Sequence, residues 1–210
     1  MKPRELLVIG AGGHGKVVAD AAISAGWSVA GFLDDQVPTG TLIIGIPVLG
    51  NIETIHARKP EQFQAVIAIG DATARIAWVR KCAASGLLAP ALVHPSAAVS
   101  RHASLGAGTV VLAQSAINAG ALVGMGVIIN TGATVDHDCV VGDGVHICPG
   151  THLGGHVDVG AASWIGIGSS VRHGIRIGAN VTVGAGSVVV KDIDDGQTVV
   201  GVRATARVPK

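Results

Sequence analysis

The sequence predicts two domains: an α/β domain of Rossmann-like type over residues 1–90, then an all-β left-handed parallel β-helix over residues 91–210. Three observations point there. Residues 1 to about 88 alternate strand-like and helix-like stretches. From Val99 to Val189 every sixth residue, sixteen in succession, is Val, Ile or Leu. Aromatics are only 2% of the chain, with no Tyr, while Gly numbers 31. Such a core must be aliphatic, and so much Gly suits thin, regular β architecture with many tight bends.

In the first domain, "LLVIG" (Leu6–Gly10) reads as a buried strand. "GKVVADAAISAG" has helical spacing and stops at Gly26. "SVAGFLDD" is a second strand, ending in Asp34 and Asp35. "AVIAIGD" (Ala65–Asp71) is a third, and "ATARIAWVRKCAASG" is a second long helix that ends at Gly86. Strands alternating with helices imply a parallel sheet with crossover helices. Pro90 and Pro95 mark the domain boundary.

In the second domain, Gly often follows the aliphatic residue directly, as at Gly106, Gly124 and Gly142. Two places before the aliphatic stands a small or β-branched residue such as Ala103, Thr109 or Ser115. A hexapeptide period is the signature of a parallel β-helix, and three hexapeptides close one triangular coil of about eighteen residues. The aliphatic side chain points inward and stacks on its counterpart one coil away, at the ordinary strand spacing of about 4.8 Å.

Charge is nearly balanced, 15 basic against 14 acidic residues, with no basic run. Nucleic acid is therefore not an expected partner. No apolar stretch approaches the ~20 residues of a membrane span, so no membrane association is expected. Gly interrupts the apolar run near the N-terminus, which reads as strand and turn rather than a signal peptide. Three cysteines (Cys82, Cys139 and Cys148), an odd number without a secretory signal, fit reduced thiols in a cytoplasm.

The chemistry-bearing residues fall in both halves. "GAGGHG" (Gly10–Gly15) fits G-x-G-x-x-G between a strand and a helix, with Asp34 and Asp35 closing the next strand. That is formally a dinucleotide fingerprint, since the glycines let a phosphate approach the N–H groups of a helix N-terminus. A nucleotide of some kind is the leading reading, a ligand-free βα turn the other. NAD fits poorly, because His14 is unusual in the loop and no dehydrogenase substrate domain follows.

On the β-helix, His137 lies in "DHD" as the third residue of its hexapeptide. One coil further is Gly155 and two coils further is His173, in one column. A bare glycine above a histidine leaves space and an exposed N–H. His146 is nine residues from His137, half a coil, so the two point to opposite sides and can meet only across an interface between copies. His102, His152 and His156 read as solvated surface residues. The three-histidine zinc pattern of the γ-class carbonic anhydrases, also left-handed β-helices, would need a histidine at Gly178. No metal is expected, and Cys139 and Cys148 fit core or corner positions better than metal ligation.

With both halves read, the chain resembles the hexapeptide-repeat bacterial nucleotide-sugar acetyltransferases. It is most similar to the group of UDP-4-amino-sugar and GDP-perosamine N-acetyltransferases and sialic acid O-acetyltransferases. The motifs are "IGAGGHGKVVAD", "FLDD", "AIGD", "LVHPSA" and "INTGATVDHDCVVGDGVHICPG". The resemblance implies a homotrimer with acetyl-CoA along the β-helix at a subunit interface and a nucleotide-linked sugar in the N-terminal domain. It implies a general base at His137, an acidic partner at Asp138, a motif asparagine at Asn130, and His146 contributed by a neighbouring subunit. The acetyl carbonyl would meet the N–H of Gly155, and Ile167 and Ala185 would line the CoA groove. Gly12, Gly13, His14, Asp34, Asp35, Gly70, Asp71 and Arg75 fall in the implied sugar-nucleotide site. The tail "GVRATAR" (Gly201–Arg207) departs from the family's "GVPAK". The activity so implied is acetyl transfer to a sugar amine. Transfer to a sugar hydroxyl and a non-catalytic nucleotide-binding scaffold are the competing readings.

Overall fold

A computed structural model describes residues 4–88 and 90–201. The first domain runs β1 (Glu5–Ile9), α1 (Gly13–Ser24), β2 (Val29–Leu33), a small antiparallel hairpin of β3 (Leu42–Ile43) and β4 (Ile46–Pro47), a 3-10 segment (Ile52–Ala57), β5 (Phe63–Ile67) and α2 (Ala72–Ala84). The main sheet is parallel with order β2-β1-β5. β1 is central, and accordingly Leu6, Leu7, Val8 and Ile9 are all buried. The third strand is shorter than its apolar run: it ends at Ile67, and Asp71 caps α2 by accepting a 2.8 Å bond from the Ala74 N–H. The hairpin and the 3-10 segment carry no apolar periodicity and were not expected.

The second domain is the β-helix. Its two-residue strands stack in three parallel sheets of six, five and seven strands. Pairing steps by eighteen residues through most of the domain, as in Ile117 with Val135 and Val135 with Leu153, and shortens to sixteen in the last coil, where Val183 pairs with Val199. The inward column is buried: Val111, Ile129, Ile147 and Ile165 are fully so. The small residues two places earlier also face inward, and their hydroxyls are satisfied by carbonyls of the next coil. Thr109 donates to Gly124 O (2.7 Å), Thr151 to Gly166 O (2.8 Å) and Ser163 to Gly178 O (2.8 Å). The repeated glycine after the aliphatic is a matter of space, since a Cβ on Gly142 would stand 2.7 Å from the Ala161 nitrogen.

The domains meet along one corner of the β-helix. α2 lies over Gly108, Gly126 and Gly144, where φ is +71°, +60° and +67°. A Cβ at either of the first two would reach 3.1 Å from Val79, and one at Gly144 would collide with Ile76. Arg75 is 1% exposed. Its guanidinium donates to Ile69 O (2.8 Å) and Gly70 O (2.7 Å) in the first domain, and to Gly126 O (2.8 Å) and Gly144 O in the second. A cation this buried is tolerable only because carbonyls satisfy it. Burial brings its pKa down to about 10, with Asp71 pulling the other way. Beyond the reach of α2 the same corner carries Ala162 and Asn180 instead of Gly. Among the described residues no helix is long and apolar enough to cross a membrane.

Candidate active site

The glycine loop between β1 and α1 is shaped by close approach at its ends and openness in its middle. A Cβ on Gly10 would press on Ala68 O, and one on Gly15 would collide with Gly10 O. Gly12 and Gly13 face open space. The N-terminus of α1 has no side-chain cap and no acid in its first turn, which leaves its N–H groups and dipole to an anion. Asp34 braces this loop: its carboxylate accepts from Ala11 N (2.7 Å), Gln36 N (2.8 Å) and Val37 N (2.9 Å). Burial alone would raise its pKa, but the three N–H donors outweigh it and hold the group below its ordinary value. Asp35 accepts from Ile52 N (2.8 Å). Both acids line a cleft of about 520 Å³ with Gly50, Asn51 and Thr54.

A second cleft, of about 310 Å³, opens between the start of α2 and the β-helix. Gly70, Asp71 and Arg75 line it from one side, Gly144, His146 and Trp164 from the other. His146 Nε2 lies 3.0 Å from Asn130 Nδ2, and its ring is 6.3 Å from both the His14 ring and the Trp164 ring. His14 Nε2 is buried with no hydrogen-bond partner among the described residues. Burial, then the nearby Arg75 cation, lowers His14 to a pKa of about 4. Burial, then His14 and Arg75, does the same for His146. Both rings are therefore neutral at physiological pH. Thus His14, Gly70, Asp71, Arg75, Asn130 and His146 converge, although they come from both domains.

His137 and Asp138 stand elsewhere, on the corner after the Thr134–Val135 strand, whereas His146 lies in the strand of a different sheet. His137 Nδ1 is 2.9 Å from Asp138 Oδ2, and Asp136 accepts 2.7 Å bonds from the His137 N–H and from Asn118 Nδ2. The bond to Asp138, aided by the charges of Asp136 and Asp138, raises the pKa of His137. With Nδ1 engaged, Nε2 is the free basic nitrogen, and it leans over Gly155: a Cβ there would collide with it. The gap expected above His137 is closed by the ring itself, so Gly155 is buried rather than open. Its N–H donates to no group in the hydrogen bonds of the described residues. Ile167 and Ala185 are exposed on neighbouring coils.

One neighbour of His137 went unrecognised in the sequence. His156 packs edge-on to His137 at 5.1 Å between ring centres, with Nε2 3.7 Å from Asp138 Oδ2. His137, Asp138 and His156 are the described residues whose ligand-type atoms gather within 4.8 Å. The signal was present, because the eighteen-residue step that sets Gly155 over His137 also sets His156 over Asp138. Trp164 was also missed, and nothing in the repeat marks it. Cys139 and Cys148 are buried free thiols, and burial pushes Cys148 up to about 12.

Comparison with known proteins bears on this geometry. The family described as "PglD N-terminal domain" matches residues 5–82, and "Bacterial transferase hexapeptide (six repeats)" matches residues 156–191. The acetyltransferase domain of PglB from Neisseria gonorrhoeae, solved with acetyl coenzyme A, is 46% identical with a TM-score of 0.91, over 94% of this chain and 96% of that one. The chain belongs to the hexapeptide-repeat nucleotide-sugar acetyltransferases. A variant of perosamine N-acetyltransferase from Caulobacter crescentus, in complex with CoA and GDP-perosamine, is 38% identical with a TM-score of 0.90, over 98% of this chain and 97% of that one. WeeI from Acinetobacter baumannii is 27% identical with a TM-score of 0.85, over 95% and 97%. No curated protein sequence matches. The family's tail motif falls mostly on residues 202–210, outside the described residues.

Proposed function

We propose that the chain moves acetyl from acetyl-CoA to the amino group of a nucleotide-linked sugar, at a site shared between two copies in a homotrimer. The observation that carries this is the His137–Asp138 pair, with Nε2 directed over an undonated N–H at Gly155. The acceptor nitrogen attacks the thioester carbonyl, and His137 Nε2 takes its proton. The carbonyl oxygen, now an oxyanion, is held by the Gly155 N–H, a donor type whose loss typically costs about 3 kcal/mol. The C–S bond breaks, and the departing thiolate takes the proton from His137. A carbonyl oxygen reaches Gly155 only if the His137 ring gives up part of its contact there.

The relatives bound to acetyl coenzyme A, and to CoA with GDP-perosamine, support these two ligands. Gly12 and Gly13 are suited to the diphosphate of the sugar nucleotide, and the Asp35 side to its nucleoside. Asp34 acts by bracing the loop, and Arg75 by holding Gly70 and the corner glycines in place. Ile167 and Ala185 offer apolar contact to the pantetheine arm. Asn130, His146 and His14 form the half-site that faces a neighbour's His137, which explains why one chain holds the two groups apart. Free, buried thiols fit a cytoplasmic enzyme. Thiol release from acetyl-CoA with UDP-, GDP- and CMP-sugars, each with and without a free amine, tests the reading. Release that depends on the amine supports it. Release with hydroxyl-only sugars replaces it with O-acetylation, and no release with any sugar leaves a binding scaffold.

A further inference from the structure

We infer that His156 is a positioning residue that shares the Asp138 carboxylate with His137 and holds that pair in its working orientation. The inference rests on the proposed role of His137 as base.

Two observations bear on it. The first is contact: one oxygen, Asp138 Oδ2, lies 2.9 Å from His137 Nδ1 and 3.7 Å from His156 Nε2, and the two rings meet edge to face. The second is backbone cost. The corner column through Asp138 reads Gly120, Asp138, His156 and Gly174, all with positive φ. At Gly120 and Gly174 that conformation is free. At Asp138 and His156, both at φ +56°, it is a left-handed turn that side chains rarely adopt. Gln114, Ala162 and Asn180 hold the same conformation at other corners, so the cost at His156 is modest, and it is the Asp138 contact that singles the ring out. The position does not bury it, since its side chain is 67% exposed.

The geometry states what that use is. His156 Nε2 stands 3.7 Å from Asp138 Oδ2, beyond hydrogen-bond reach, and with its ring edge-on to His137 it confines the carboxylate and the ring by contact. Asp138 then fixes the His137 ring through Nδ1, which aims Nε2 at Gly155. The ionisable neighbours of His156 are His137 and Asp138, with Asp136 adjoining on the same turn and His173 on the following coil.

The test is His156→Gly, with His156→Asn as the variant that tolerates the left-handed turn and keeps a side chain for contact. Glycine relieves the backbone and preserves the main-chain bond from residue 156 N–H to His137 O. Thermal stability should stay equal or rise, while kcat for acetyl transfer falls about two- to five-fold, the range for an exposed charged contact. His156→Asn should recover part of kcat. Each is repeated on His137→Ala, where the loss should vanish if His156 works through His137. Wild-type kcat in a well-folded His156→Gly would overturn the inference. A wild-type kcat in His137→Ala would instead remove the reading on which it rests.

Discussion

Gly155→Ala separates the chemistry of the site from its stability. The added methyl would collide with Nε2 and Cε1 of His137. Carbon and nitrogen at rest do not approach closer than about 3.4 Å, so the ring must withdraw by roughly 1 Å. The backbone of Gly155 is outside the left-handed region, so alanine adds no strain there. His137 is half exposed and can swing into solvent, and the cost to folding should stay within about 1 kcal/mol. The cost to catalysis is larger. A 1 Å misplacement of a reacting group can cost about 100-fold. We expect kcat, read by thiol release at saturating acetyl-CoA and acceptor, to fall by about two orders of magnitude, with the circular-dichroism melt nearly unchanged. Wild-type kcat in a well-folded Gly155→Ala would show that Nε2 over Gly155 is not where acetyl is transferred.

Other outcomes follow from the same geometry. His137→Ala should lower kcat by about 10²–10⁴-fold; in the wild type, activity should fall on an acid limb above the ordinary histidine value, because Asp138 raises the folded pKa, and that limb should vanish in the mutant. Mixing His137→Ala with the less impaired His146→Ala and reassembling should bring an intact His137 and an intact His146 together at up to about a quarter of sites, as random exchange between neighbours allows, and raise activity above the mean of the two variants; no rise after verified exchange would argue that each chain works alone. His14 and His146 have folded pKa values near 4, below the unfolded 6.5, so the unfolded state binds protons first. Their contribution is complete above pH 6.5 and is lost as pH falls toward 4, on the order of 3 kcal/mol for each ring. Urea midpoints from pH 7 to 4 should therefore drop, and drop less in His146→Asn.

What was legible in the sequence was whatever depends on periodicity. A phase kept from Val99 to Val189 leaves no freedom in register, so counting eighteens located Gly155 over His137 before any coordinates. The same count explains why His146 belongs to another sheet. The strand and helix runs of the first domain were legible for the ordinary reason that their apolar faces repeat. The hairpin at 42–47 was not, because two-residue strands carry no period. Nor were the ends of elements: Asp71 looks like the close of a strand, and only the 2.8 Å bond from Ala74 identifies it as a cap.

What depends on one domain meeting the other was hidden. Arg75 and the corner glycines belong to separate repeats, and nothing in either stretch announces the other. Yet the pair decides the site. Glycines at 108, 126 and 144 admit α2, and α2 brings Arg75 against their carbonyls. Burial keeps His14 and His146 neutral in the cleft they share, and that buried cation adds to the effect. Arg75 in turn anchors Ile69 and Gly70, the turn that lines the cleft opposite His146. A residue read from sequence as one of the contacts to the sugar nucleotide has four of its five guanidinium N–H groups bonded to backbone carbonyls. What it supplies to the cleft is the turn it holds and a positive charge near the two histidines.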